Sequence, residues 1–289
     1  MASTPPVEFH ALTDTGRVRA QNEDAVAVHP QLGLMLLADG MGGYNAGEVA
    51  SRLAVEQVAE HMRLWLTGAK ARGAAPAAVA QALQASAELA NRAILDAAQA
   101  NPQCMGMGTT LVAGVLRGSH LILGHAGDSR GYRLREGALQ QITRDHSWLQ
   151  EQIDAGLLTP EQAAVSGQRN LVTRALGAEE VTPLEVNVFD TRPGDLYLLC
   201  SDGLTEQMPH ADLQELARQA VPLADKARRM VALANALGGR DNISVVLAQV
   251  AAPQARPGAG APPPAAAAPA PGPGMPRAAR LSPGSDGPG

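Results

Sequence analysis

Residues 32–43 read "LGLMLLADGMGG": an apolar run that stops at an acid, Asp39, and is followed by three glycines and a methionine. The run predicts a buried strand that ends on the carboxylate. Asp-Gly alone is ordinary turn chemistry, because Gly reaches positive φ freely and Asp caps turns with its own oxygen. A turn stripped of side chains also suits a small charged group that needs a bare backbone beside it. Gly40 would let a carbonyl or a hydrated ion approach closely. One Asp-Gly does not choose between these readings, so the flanking chain must.

Upstream, "AVAVHP" predicts a strand joined to residues 32–38 by a short turn around Pro30 and Gly33. Downstream, residues 47–66 place Val49, Leu53, Val58 and Met62 at helical spacing. A second helix is predicted over 76–100, with Pro76 in its first turn. Residues 109–143 alternate short apolar runs with turn signals and predict an antiparallel meander. Residues 145–183 are polar and mixed. The strands "LEVNVF" and "DLYLLC", two helices over 210–237 and a closing strand "NISVVLAQV" complete the pattern. Hairpin-connected strands with helices arriving in pairs predict α+β layers, not a βαβ parallel sheet. From about residue 251 the chain is almost wholly Ala, Pro and Gly, so 251–289 is expected to be a disordered tail.

Composition narrows the function. The 289 residues are 45% hydrophobic, enough for a substantial core. A net charge of −5 and 2% aromatics argue against a nucleic-acid partner. Two cysteines, Cys104 and Cys200, give no zinc cluster, and Cys200 inside "LYLLC" reads as a core residue. No apolar run approaches the ~20 residues needed to span a bilayer, and no secretory signal is visible. A cytoplasmic protein is expected.

Asp39 has company. "LYLLCSDGL" repeats the motif at Asp202 and Gly203, "LILGHAGDSRG" brings a strand to Asp128, "GGRDNISVV" sets Asp241 before the last strand, and "RAQNEDAVAV" sets Glu23 and Asp24 just before the first. Carboxylates that converge repel one another unless cations neutralise them. An all-oxygen donor set favours hard cations such as Mg²⁺ or Mn²⁺. Two such cations bridged by a shared carboxylate would acidify a water and aim it at phosphorus. Arg19, four residues before Glu23, would lie at the same mouth, where a guanidinium holds two phosphate oxygens at once.

The ordered set "TDTGRVRAQNED", "ADGMGG", "GMGTTLVAG", "GHAGDSRGYRL", "RDHS", "LCSDGLTE" and "GRDNISVV" resembles the bacterial branch of the metal-dependent Ser/Thr protein phosphatases, the type 2C class or PPM family. The resemblance runs from about Val7 to Val250 and implies a phosphatase domain over 1–250. It implies a four-layer αββα sandwich, two antiparallel sheets flanked by paired helices. Asp39 would bridge two metals, with the Gly40 carbonyl as a further ligand. Glu23 would serve one metal, and Asp202 and Asp241 the other. Asp128, with Asp202, matches the position of a weaker third metal. Asp24 would stand behind the ligands, Asn242 would orient Asp241, and Arg19 matches the phosphate-binding arginine. Residues 145–183 match the flap beside the active site.

Two positions depart from the family pattern. Met41 replaces a His proposed as general acid in animal relatives, and Tyr44 replaces a common bacterial His. A metal-bound water is therefore the better proton donor. The implied activity is hydrolysis of phosphoserine and phosphothreonine with Mn²⁺ or Mg²⁺. The implied partners are phosphorylated proteins and a bacterial Ser/Thr kinase, and a monomer is expected. The alternatives are a two-metal phosphatase acting on a small phosphoester and a catalytically silent phosphoprotein-binding relative. The complete carboxylate set speaks against the silent one. His125 is expected to be a satisfied core residue and His146 to order the flap entrance. Met105 and Met107 are expected to pack, and Thr109 and Thr110 to hydrogen-bond near the metals.

Overall fold

The computed structural model describes residues 6–43, 46–164, 166 and 171–252. Its strands are β1 (Val7–Asp14), β2 (Asp24–His29), β3 (Leu34–Met41), β4 (Gly108–Thr109), β5 (Leu111–Arg117), β6 (His120–Ala126), β7 (Arg130–Arg135), β8 (Ala138–Gln141), β9 (Glu185–Asp190), β10 (Leu196–Cys200) and β11 (Ile243–Val250). The helices are α1 (Ala46–Thr67), α2 (Pro76–Ala100), α3 (Trp148–Asp154), α4 (Pro160–Ala164), α5 (Asp202–Thr205), α6 (His210–Arg218) and α7 (Leu223–Ala236).

The apolar run at β3 explains the layering. Side chains alternate across a strand, so an unbroken run must be buried on both faces. Leu34, Leu36 and Ala38 pack with Ala54, Val58 and Met62 of α1 and with Leu83 and Ile94 of α2. Met35 and Leu37 point the other way, into a core shared with Tyr197, Leu199, Val246 and Ala248 of the second sheet. On that sheet's far side, Leu198, Cys200 and Leu247 pack against Leu213, Ala227 and Met230 of α6 and α7. Each fully buried leucine contributes about 1.5–3 kcal/mol. The result is the αββα sandwich. One sheet runs β1-β11-β10-β7-β8 and the other β2-β3-β5-β6-β9, with β4 added beside β3. Cys200 is a core residue, and burial pushes its thiol up to about 12.

Several expectations change. β3 does not end at Asp39 but runs to Met41, because β4 supplies a new partner: Gly40 pairs with Thr109 and Met41 with Gly108. Residues 109–143 are not one meander. β5–β6 is a hairpin of the first sheet and β7–β8 of the second. The chain crosses between sheets at Gly127–Ser129. Gly127 has φ 104°, and a Cβ there would lie 2.6 Å from the Thr110 side chain. β1, which no motif announced, pairs with β11 along its whole length. On α1 the most buried stripe is Ala50, Ala54, Val58 and Met62, with Val49 and Leu53 half-buried at its flanks. Small residues let the helix sit close to the sheet. Met107 packs, but Met105 is 75% exposed. The expected tail over 251–289 lies outside the described residues beyond Ala252. No described helix is long and apolar enough to cross a membrane.

Candidate metal centre

Each carboxylate arrives on a different element. The loop between β1 and β2 carries Arg19 and Glu23, and Asp24 opens β2. Asp24 stands in register opposite Asp39 of β3. Asp128 lies in the crossover from β6 to β7, Asp202 opens α5 after β10, and Asp241 precedes β11. Glu23, Asp39, Asp128, Asp202 and Asp241 line one cavity of about 190 Å³, with Arg19 at its wall. The sequence therefore named the groups that the fold brings together.

Backbone order holds these groups. The Asp39 amide donates to Thr110 Oγ1 at 3.0 Å, and its carbonyl accepts from Thr109 Oγ1 at 2.8 Å. Gly40 donates its N–H to the Glu23 carbonyl at 3.1 Å. A Cβ on Gly40 would lie 2.1 Å from the Gly47 carbonyl of α1 and 2.6 Å from that of Glu23. Backbone approach thus explains the glycine within the protein itself. Asn242 does more than orient Asp241, which accepts from the Asn242 amide at 2.8 Å. Its side-chain oxygen accepts from Glu23 N, and its amide group donates to Thr15 O and Gln21 O. It stitches the loop that carries Arg19 and Glu23. Sequence reasoning missed Ser201, whose hydroxyl donates to Asp24 Oδ2 at 2.8 Å. The signal was there: a polar residue ends the apolar "LYLLC" one position before Asp202.

The electrostatics mark a strained cluster. Burial, then the charges of Asp24, Asp202, Asp128 and Asp241, push Asp39 well above the usual carboxylate range. Burial and Asp128 do the same to Asp202. Burial alone leads in raising Asp24 and Asp128 to about 6, and it also raises Glu23. Arg19 supplies the compensating cation: its Nη2 donates to Asp241 Oδ2 at 2.7 Å, with the arginine side chain half-exposed.

Does this set fit divalent cations? The donors are all oxygen, five carboxylates face one guanidinium around the cavity, and Asp24 Oδ1 is buried without a hydrogen-bond donor. That is chemistry for hard cations. A second group of ligand types, His125, His146 and Glu185, does not fit an ion. The two rings stack with centroids 4.6 Å apart and planes 3° from parallel. An ion on a ring nitrogen lies in that ring's plane, and stacked planes share no such point. His146 Nδ1 moreover accepts from Gly127 N at 3.2 Å, which leaves the proton on Nε2, facing Glu185. His125 is the satisfied core histidine expected, bonded to the Arg144 carbonyl at 2.7 Å.

The segment that follows β8 reaches this centre. Ser147 bridges Val172, which lines the cavity, and His146 N donates to Gly127 O beside Asp128. His146 thus ties this segment to the crossover beside Asp128. Met41 also lines the cavity, but a thioether has no proton to give. Tyr44 lies outside the described residues.

Comparison with known proteins agrees with this geometry. The family model described as protein phosphatase 2C matches residues 16–238. The chain is 42% identical over 244 residues to the serine/threonine protein phosphatase PstP of Mycobacterium tuberculosis, covering 84% of this chain and 45% of that protein. The chain thus spans less than half the length of that relative. It is 35% identical to the serine/threonine phosphatase Stp of Listeria innocua, covering 82% of this chain and 93% of the relative. A crystal structure of M. tuberculosis PstP superposes with a TM-score of 0.77 at 40% identity, covering 85% of this chain and 99% of that one. Another, of the PstP catalytic domain in complex with two manganese ions, gives 0.74 at 40% identity, covering 85% and 98%.

Proposed function

The chain belongs to the protein phosphatase 2C family, and from that premise we propose that it is a metal-dependent phosphatase that hydrolyses phosphoserine and phosphothreonine in proteins. The observation that carries this reading is the convergence of five carboxylates, from five separate segments, on one cavity beside a single guanidinium. Two Mn²⁺ or Mg²⁺ ions bound there would supply Lewis-acid charge and acidify a water for attack at phosphorus.

The chain's own residues divide the work. Asp39, Glu23, Asp202 and Asp241, with the Gly40 carbonyl, would hold the two ions, and Asp39, which stands in register opposite Asp24, would be shared between them. Asp128, with Asp202, would hold a weaker third. Asp24 lies behind, fixed by Ser201, and Asn242 keeps Glu23 and Arg19 in place. Arg19 receives the phosphate, because a guanidinium at a cavity mouth can bind two of its oxygens. The catalytic domain is assigned to residues 1–250, with the flap over 145–183. The partners are phosphorylated proteins and the Ser/Thr kinase that supplies them. The domain acts as a monomer in the cytoplasm, and its acidic, aromatic-poor composition speaks against a nucleic-acid partner.

The test is phosphate release from a phosphothreonine peptide. Activity should vanish in excess EDTA and return with Mn²⁺ or Mg²⁺, and full activity in chelator would overturn the metal-dependent reading. In the same assay Arg19→Ala should raise KM about tenfold with a smaller effect on kcat, since the clamp acts on substrate and transition state alike. Unchanged KM and kcat would remove Arg19 from phosphate binding.

A further inference from the structure

The residue before Asp128 is a glycine, and one histidine holds both of its polar backbone groups. Gly127 carries the chain from β6 of one sheet toward β7 of the other at φ 104°, a backbone region that glycine alone adopts freely. Its N–H donates to Nδ1 of His146 at 3.2 Å, and its C=O accepts from the His146 N–H at 2.9 Å. The imidazole is itself fixed. It stacks on His125, whose Nε2 is bonded to the Arg144 carbonyl at 2.7 Å, and its own Nε2 faces Glu185 Oε2 at 3.4 Å. On the other flank of Asp128, the Ser129 hydroxyl is bonded at 2.7 Å to Thr110 Oγ1, the oxygen that also accepts from Asp39 N. Asp128 is thus held from both sides, through Ser129 toward Asp39 and through Gly127 toward His146.

Residues 127–129 lie between β6 and β7, outside either ladder, so hydrogen bonds to these residues decide where Asp128 stands. Gly127 adds to the demand, because its backbone is the freest of any residue. A clamp on both its N–H and its C=O turns that freedom into one orientation of the peptide that leads into Asp128. Groups that order a ligand in this way change metal affinity without touching the metal. We propose that His146 is a positioning residue for Asp128, acting through the Gly127 N–H, and that it thereby sets how tightly the weaker cation is held. The proposal rests on the metal-dependent reading above and deepens it at one carboxylate.

Two substitutions separate the bonds of His146. Asn carries its side-chain oxygen where Nδ1 stands and keeps an acceptor for Gly127. Gln reaches instead toward the position of Nε2 and keeps a donor for Glu185. Both lose the ring and its stack on His125, so a role in packing alone would affect them alike. The full chain is compared as wild type, His146→Asn and His146→Gln by amide exchange at Gly127 in EDTA, followed by NMR, and by calorimetric titration with Mn²⁺. In His146→Gln the Gly127 amide should exchange about fivefold faster, the scale of one lost hydrogen bond. The weakest Mn²⁺ should bind about tenfold less tightly with the two tight ions unchanged, while His146→Asn stays within about threefold of wild type in both measurements. Equal changes in the two variants would overturn the proposal, as would an unchanged His146→Gln or failure of both variants to fold, since each assigns His146 to packing. A wild type that binds only two ions would remove the weaker cation assigned to Asp128, and this role of His146 with it. A wild type that binds no Mn²⁺ is a different result and would overturn the metal-dependent reading itself.

Discussion

Asp39→Asn should lower kcat on a phosphothreonine peptide by about 10³-fold or more, a loss of roughly 4 kcal/mol of transition-state stabilisation, while making the metal-free protein no less stable. Asp39 is half-buried in the cavity wall, opposite Asp24, and partial burial and the neighbouring charges of Asp24, Asp202, Asp128 and Asp241 push its carboxyl up. Asn keeps the shape and removes the charge. The backbone bonds to Thr109 and Thr110 do not involve the side chain, so β3 keeps its place. Without divalent cations, losing one of several repelling carboxylates relieves the cluster. With them, it removes the group best placed to bridge two ions. Lost turnover with an undiminished melting temperature in EDTA is therefore the expected signature. A large drop in that melting temperature would mean the variant fails by unfolding. Near-native kcat at saturating Mn²⁺ would place the centre of the site elsewhere.

Much of this site was legible because metal chemistry restricts residue types. A carboxylate next to an apolar strand is costly, and five of them in one chain need a common reason. Periodicity made the core equally plain: an unbroken run such as residues 34–38 must be covered on both faces, which already implies layers. What stayed hidden was long-range pairing. Nothing local in "VEFHALTD" says that it lies along β11, and nothing in "GHAGDSRG" says that the chain changes sheets at Asp128. The extension of β3 past Asp39 depends on β4, almost 70 positions later, and only tertiary pairing reveals it. The side-chain work of Asn242 and Ser201 was hidden for the same reason, since their partners Glu23 and Asp24 are distant in sequence.

The carboxylate cluster should also govern how the protein melts. In the metal-free fold Asp24 and Asp128 are raised to about 6, and Asp39 and Asp202 are also pushed well above the usual carboxylate range. In the unfolded chain such groups release their protons near 4. Between those values the folded state binds more protons than the unfolded state, so stability falls as pH rises. His146 works in the opposite sense. Burial, then the charge on His125, lowers it to about 4, so its contribution weakens as pH falls below the ordinary histidine range. One imidazole is set against four carboxylates, and the carboxylates win. In EDTA the melting temperature should therefore rise by about 5 °C between pH 7.5 and 5.5, at 2–4 °C per kcal/mol for a domain of this size. Mn²⁺ at about a hundred times its Kd should raise it by about 10 °C at pH 7.5, since each occupied site contributes about 2.7 kcal/mol. That gain should shrink at pH 5.5, where protons compete for the same oxygens. Calorimetry at the two pH values, with EDTA and with Mn²⁺, measures all four states. A metal-free protein that is most stable at neutral pH, with a Mn²⁺ shift independent of pH, would show that these carboxylates do not act together on a cation.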